Sequence, residues 1–362
     1  MTQQLRRRDV LGMFGFGAAA LALPLRAADA LKFPKGAVIR TVLKDLNPEA
    51  LAGGATLFHE HMSLAPDFMP RWMAYSRPGG RGNAPVPAAA PSSQPYFMQD
   101  VDLMVAELKA AATEGVGCIA DGGHPDMGRN LDFLKEISEK SGMPIVAGCG
   151  FYTDPFYPEG IKTWSDDQIA QDLVKQVKTQ PLGVFGEIGS WDEITDLERK
   201  VFRGVAKAHR ETNLPIFTHT GIPGKSALEQ LDILEGGGVK PDRIVIGHLG
   251  NLVDPEVKIH KEICKRGAFI GFDRQGGAGD ARQVPMVLAL IDAGYAKNLM
   301  FASDLSTANQ LKKNGGGGYA KTVTVWGKKL TDAGVKDDVL HEILHDNPRR
   351  FLAFVPKTKR AG

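Results

Sequence analysis

Eight short apolar runs, each ending on a polar residue or glycine, constrain the fold of this 362-residue chain more than any other feature. They read ATLFHEH (55–61), GCIADGG (117–123), PIVAGCG (144–150), GVFGEIG (183–189), PIFTHTG (215–221), RIVIGHLG (243–250), AFIGFD (268–273) and LMFASDL (299–305). Their ends at His61, Asp121, Cys149, Glu187, His219, His248, Asp273 and Asp304 are spaced 25 to 38 residues apart after a first gap of 60. Helical patterns such as VDLMVAELKAAATEG and LERKVFRGVAKAHRETN fill the gaps. Strands alternating with helices at this spacing make βαβ units and a parallel sheet. Eight units over roughly 250 residues predict an α/β fold, the TIM (β/α)8 barrel, as one domain. An open doubly wound sheet is the competing architecture. It needs a glycine-rich phosphate turn after strand one, where this chain has His59-Glu60-His61.

Composition narrows the function classes. With 43% hydrophobic residues the chain can bury a core, which excludes disorder for most of its length. A formal net charge of +2 leaves no global basic footprint for nucleic acid. No apolar run reaches the roughly 18 residues of a membrane span. Three cysteines cannot build a disulfide framework, and Cys118, Cys149 and Cys264 read as small packing residues.

The first thirty residues stand apart. Arg6, Arg7 and Arg8 precede an Ala/Gly-rich apolar stretch to Leu25, and Ala28-Asp29-Ala30 offers a small-residue cleavage site, which together make a secretory signal. The arginine pair before x-V-L resembles a twin-arginine address. The expectation is a signal over 1–30, a catalytic domain over 31–362, and a periplasmic or otherwise exported product. Two long connections, 66–95 after strand one and 306–318 after strand eight, leave from strand C-terminal ends, the active-site face of a barrel.

His59 and His61 stand at i and i+2, so both imidazoles share a face of the strand. On strict alternation Leu57 continues that inward row, and Phe58 and Glu60 face the helices. Two inward histidines are costly to bury without a partner, and a metal ion is a common one. A lone HxH is equally served by two hydrogen-bonded histidines. The weight comes from repetition: Glu187, His219, His248 and Asp304 end strands four, five, six and eight.

The set TLFHEH, GVFGEIG, FTHTG, VIGHLG and FASD, closing with NPRRFL, resembles the phosphotriesterase family of the amidohydrolase superfamily over roughly residues 50–354. The resemblance implies two divalent transition-metal ions, zinc first, with Mn, Co or Fe as alternatives. His59, His61 and Asp304 would hold the buried ion, and His219 and His248 the exposed one. An anion from strand four and a hydroxide would join them. Many members carry a carboxylated lysine at that bridge; here Glu187 occupies it, as in the phosphotriesterase homology subgroup. Two divalent ions with Glu187, Asp304 and a hydroxide leave a charge near +1, suited to an oxyanion or a polarised carbonyl. Arg274 in GFDRQG, with Tyr152 and Phe156 in GFYTDPFYP, resembles the lactonase branch, where such residues contact substrate. A surface ion pair of Arg274 with Asp273 or Asp280, and loop packing for Tyr152 and Phe156, stay open as alternatives.

The expected function is hydrolysis of a small-molecule ester by a metal-bridging hydroxide, with Asp304 accepting the proton. A lactone or carboxylic ester comes first and a phosphotriester second. A catalytically inactive metal-dependent binding protein is the reading of another class. No nucleic acid is an expected partner, no membrane span is expected, and a homodimer is left open. Other features are set aside. His341-Glu342-Ile343-Leu344-His345 matches the zinc-protease HExxH, but no Glu or His follows as third ligand. Gly224-Lys225-Ser226 lacks the upstream glycine of a P-loop. His209 reads as solvated, His124 as a candidate neighbour of the ligands, and His260 has no partner pattern. Replacing Arg7 and Arg8 by lysine is expected to leave unprocessed precursor in the cytoplasm, visible by fractionation and immunoblotting; normal processing would remove the twin-arginine assignment.

Overall fold

Eight strands, β1 (Ala55–Glu60), β2 (Val116–Asp121), β3 (Ile145–Cys149), β4 (Leu182–Ser190), β5 (Ile216–Thr220), β6 (Ile244–Ile246), β7 (Phe269–Phe272) and β8 (Leu299–Phe301), form one parallel sheet in the computed structural model. Strand order follows sequence order. The structure describes residues 31–76 and 95–357, so the signal expected over residues 1–30 lies outside the described residues, as does much of the 66–95 connection.

The two edges of the sheet meet. Asp304 donates its backbone N–H to the His59 carbonyl, and His61 donates to Leu305, each at 3.2 Å. The Glu60 carboxylate clamps the same seam, accepting the N–H of Ser303 at 2.7 Å and of Leu305 at 2.8 Å. Burial pushes the Glu60 pKa up to about 7 against the pull of those two donors. The result is the expected TIM barrel, with helices between successive strands.

One cluster fills the barrel and draws on every strand: Phe58, Ala120, Val146, Val184, Phe217, Val245, Phe269 and Met300 belong to it. Ile39, Phe351 and Leu352 close its floor. Leu57, Ile119, Phe185 and Ile270 instead join the layer between sheet and helices. This corrects the expectation for strand one, since Phe58 is the inward residue and Leu57 faces the helices. The cause is a β-bulge. Between Leu57 and Glu60, β1 advances three residues while β2 advances two, from Ile119 to Asp121. The extra residue resets the alternation, so Phe58 and His59 both face the interior.

The helices follow their sequence signals. Val101–Thr113 starts at Asp100, whose carboxylate accepts the Leu103 N–H at 3.0 Å. Asp196–Thr212 opens with a Thr195/Glu198 capping box, ends at left-handed Asn213, and buries Val201, Phe202, Val205 and Ala208. These devices satisfy amide groups that helix ends otherwise leave unpaired. The 66–95 connection is not wholly irregular: Phe68–Tyr75 is helical, anchored by buried Phe68. At the C-terminus, His341 and His345 stack at 4.3 Å on the outer helix, and among the described residues neither joins a group that could hold a metal. All three cysteines are buried free thiols.

His209 departs from the sequence reading. It is buried, and its Nδ1–H donates to the Leu214 carbonyl at 2.7 Å. Burial lowers its pKa to about 4. The folded ring therefore stays neutral where the unfolded chain, titrating near 6.5, takes a proton. The stability from this group is complete above pH ~6.5 and falls by about 3 kcal/mol as pH drops towards ~4. His209→Gln is expected to flatten that part of a stability-versus-pH curve from urea denaturation; an unchanged slope would refute the assignment.

Candidate metal centre

The C-terminal rim of the barrel gathers side chains from six strands, and backbone irregularities aim several of them. The β1 bulge sends His59 and His61 inward together. A second bulge lies on β4, where Phe185 to Ile188 spans three residues against two on β5. It brings Glu187 inward although Val184 already points there. Gly186 sits in this bulge, where any Cβ would run into the Phe217 ring. His219 faces in by plain alternation from Phe217 on β5. His248 and Asp304 take left-handed backbone, with φ of 60° and 50°. Such conformations are strained for residues with a Cβ and concentrate where a side chain must be re-aimed.

Glu187 is the centre of the set. Its Oε2 lies 2.8 Å from His219 Nδ1, 3.2 Å from His59 Nε2 and 3.4 Å from His248 Nε2, and its Oε1 lies 3.2 Å from His61 Nε2. Asp304 Oδ1 adds a contact to His61 Nε2 at 3.1 Å. Asp121, the alternative anion for this position, is already engaged: its oxygens accept the N–H of Met62 and of Gly123.

Asp273 is the site residue that the sequence reading passed over. It is fully buried, and accepts from His59 Nδ1 at 3.0 Å and from His248 Nδ1 at 2.8 Å. One carboxylate thus sets the tautomer of two rings on different strands and turns both Nε2 atoms towards Glu187. The available signal was alternation on β7, which sends Phe269, Gly271 and Asp273 inward. Arg274 does not pair with Asp273 or Asp280. Its Nε donates to Asp304 Oδ2 at 2.8 Å, and its Nη2 donates to His248 Nε2 at 3.0 Å.

The loop residues divide. The Tyr152 hydroxyl lies 3.1 Å from His219 Nδ1 and lines the cavity. Phe156 is one layer back, packed on Phe68, Tyr75 and Tyr152 with ring centroids 5.0–5.3 Å apart. His124 is buried beside Asp126 at 3.4 Å, rather than on the ligand set.

The electrostatics favour positive charge at the centre. Burial opposes ionisation of Glu187, yet His59 and His219 outweigh it and hold its pKa well below the ordinary carboxylate value. Asp304 is held low against burial chiefly by Arg274 and then His61. Burial works against charge on His61, but Asp304 and Glu187 raise its pKa to about 9. His219 goes the other way, lowered by burial to about 4. His59 Nε2 is buried with no hydrogen-bond partner and faces Glu187 at 3.2 Å and Asp304 Oδ1 at 3.7 Å. Nδ1–H is given to Asp273. Burial works against charge on the ring, but Glu187 first and then Asp273 outweigh it and raise its pKa well above the ordinary value, because Nε2 confronts two anionic oxygens. That contact is repulsive unless a proton or cation lies between. Two overlapping groups have ligand atoms within 4.8 Å of one another and could hold a metal: His59, Glu187 and His248, and His59, His61 and Asp304. Imidazole and carboxylate donors suit divalent transition ions, so the residues fit such a group.

A cavity of about 540 Å³ opens on this rim, with an apolar wall of Phe68, Met69 and Trp72. The sequence model of the phosphotriesterase family matches residues 38–352. The phosphotriesterase homology protein of Escherichia coli (strain K12) is 33% identical over 256 residues, 68% of this chain and 87% of that one. Its crystal structure, complexed with phosphate in the active site, superposes with a TM-score of 0.71 at 28% identity, covering 83% and 99% of the two chains. The N-acetyltaurine hydrolase of Xenopus tropicalis is 26% identical over 349 residues, 87% of this chain and 98% of that one. A lactonase from Listeria monocytogenes superposes with a TM-score of 0.74 at 25% identity, covering 87% and 98%.

Asp273→Asn keeps size but replaces one acceptor oxygen by a donor facing an imidazole N–H. The expected outcome is a 10–100-fold loss of Zn²⁺ affinity with every direct donor intact, measured by competition against a chromophoric chelator. Unchanged affinity would mean that Asp273 does not orient the rings.

Proposed function

We propose that this chain, which belongs to the phosphotriesterase family, is a metal-dependent hydrolase of small acyl compounds: a lactone, a carboxylic ester or an amide. The observation that carries the reading is the convergence of His59, His61, His219 and His248 on one carboxylate, Glu187, within 3.4 Å at the foot of an open cavity. The lactonase and N-acetyltaurine hydrolase among its relatives support it, because a lactone and an N-acetyl group both present an acyl carbon. The amide widens the expectation of an ester drawn from sequence. A phosphoester is the second reading, supported by the Escherichia coli homologue with phosphate in its active site.

Divalent ions held by His59, His61, Glu187, His219, His248 and Asp304 would supply Lewis acidity to the acyl oxygen and to water. The protein's own residues do the rest. Glu187 offers one oxygen to His61 and the other to His59, His219 and His248, so it can serve two ion positions at once. Asp304 stays ionised beside Arg274 and is placed to accept the proton of the attacking water. Arg274 fixes Asp304 through Nε and sits at the mouth, where an oxyanion would meet its guanidinium. Tyr152 presents a hydroxyl beside His219 on the substrate side. Phe156 acts behind it, through packing. The same proposal includes export, supported by Arg6 to Arg8, the apolar stretch to Leu25 and Ala28-Asp29-Ala30, which would put this activity outside the cytoplasm.

Chelation followed by dialysis is expected to abolish hydrolysis of a lactone, ester and amide panel, and Zn²⁺ or Mn²⁺ to restore it. Because Glu187 carries its own carboxylate, the restoration rate should not depend on bicarbonate. Glu187→Gln is expected to bind about one ion and to lose most turnover, since two cations at roughly 3.5–4 Å repel strongly without an anion between them. Two-ion occupancy and near-normal rate in that variant, or full activity after exhaustive chelation, would overturn the reading.

A further inference from the structure

The cavity wall carries a charge that the ligand set does not use. Lys321 lines the cavity together with Gln275, Thr307, Asn309 and Gln310. It begins the helical segment after the Gly315–Gly318 turn, donating its backbone N–H to Gly318 at 3.2 Å. Its stem is clasped between two rim loops. A Cβ at Gly276, in the loop after β7, would stand 2.6 Å from Lys321 Cδ. One at Gly317, in the loop after β8, would stand 2.8 Å from its Cβ and Cγ. The two glycines thus leave the space that the lysine stem occupies between the loops.

Among the described residues its ammonium makes no ion pair. The acid that feels it is Glu60, at longer range, and both Glu60 oxygens already accept backbone N–H groups. The other charged residues on the cavity are Glu187 and Asp304, which face the metal positions, and Arg274, which is tied to Asp304. A half-buried cation without a carboxylate in ion-pair range, on a cavity that Asn309 and Gln310 also line, is a site for an anionic group. The same cavity, of about 540 Å³, also has Phe68, Met69 and Trp72 in its lining, apolar side chains against which the linker between that group and the acyl carbon can pack.

We infer that the substrate carries a carboxylate or sulfonate on the side away from the scissile acyl bond, and that Lys321 is the residue that selects it. This rests on the hydrolase reading above and names the substrate class of that same site. An isolated charge–charge contact of this kind acts in binding, so its signature is in KM rather than kcat.

The test uses Zn²⁺-loaded enzyme and three N-acetyl compounds of similar size: N-acetyltaurine (sulfonate), N-acetyl-β-alanine (carboxylate) and N-acetylethanolamine (neutral). 4-Nitrophenyl acetate serves as a general acyl substrate. Wild type should favour the two anions over the neutral compound by at least about tenfold in kcat/KM. The better of the two anions identifies the preferred headgroup. Lys321→Met should raise KM for the anions about tenfold or more, leave kcat within about twofold, and leave the neutral compound and 4-nitrophenyl acetate unaffected. Lys321→Arg should recover most of the loss. A purely structural role would instead move all four substrates together. Equal use of neutral and anionic compounds by wild type, or an unchanged anion KM in Lys321→Met, would overturn the inference while leaving the hydrolase reading in place. Should wild type leave every compound intact, the hydrolase reading fails. Calorimetry with N-acetyltaurine then decides the anion site: binding that weakens in Lys321→Met supports it, and no binding overturns it.

Discussion

Burying four imidazoles and three carboxylates at one end of a barrel is the constraint on which the rest of this structure depends. An unpaired buried polar atom costs a few kcal/mol and an unpaired charge more. Here the carboxylates are shared. Asp273 serves His59 and His248, Glu187 touches all four rings, and Asp304 divides its oxygens between His61 and Arg274. Two ring atoms of the set are left without a hydrogen-bond partner, His61 Nδ1 and His59 Nε2, and the latter faces two anionic oxygens. The network is therefore complete only with a proton or a cation at its centre, and it depends on the fold holding these groups in place.

Rigidity comes from the seam between the first and last strands. Glu60, lying between the two β1 histidines, turns outward and takes the N–H groups that flank Asp304. Tyr319, from the far side of the glycine-rich loop, donates its hydroxyl to the His61 carbonyl at 2.8 Å. Closing the barrel and placing a ligand from each edge strand are thus the same act. This is why Asp304 can hold a left-handed backbone with ordinary hydrogen bonding around it.

Specificity sits elsewhere. The floor of the cavity is made by strand ends, but its walls come from five connections: the helix Phe68–Tyr75, Tyr152 after β3, Ile222 after β5, the loop with Arg274 to Gly277, and the segment from Ser306 to Lys321. A barrel separates these tasks because its strand ends are fixed by the packed interior, while loops vary without disturbing it.

The barrel and most of its rim were legible in the sequence. Apolar runs about thirty residues apart, each ending in a ligand-type residue, demand parallel strands with helices between them, and only a closed sheet brings eight such ends to one ring. His59, His61, Glu187, His219, His248 and Asp304 all reach that ring. The bulges on β1 and β4 were not legible, because one added residue is defined only against the neighbouring strand; hence Leu57 and Phe58 exchanged faces. Asp273 and Arg274 illustrate the same limit. Adjacent and oppositely charged, they left a local ion pair open as an alternative to a substrate role for Arg274, yet alternation sends one beneath the histidines and the other to Asp304, thirty residues away. His209, placed on a basic helix by its neighbours, is buried because the chain turns back at Asn213 and offers it the Leu214 carbonyl. Sequence periodicity decided which residues could meet at the rim, since it reports the backbone's own repeat. The pairing of each proton donor with its acceptor was decided only by the tertiary structure, because hydrogen bonds depend on distances of a few tenths of an ångström between segments remote in the chain.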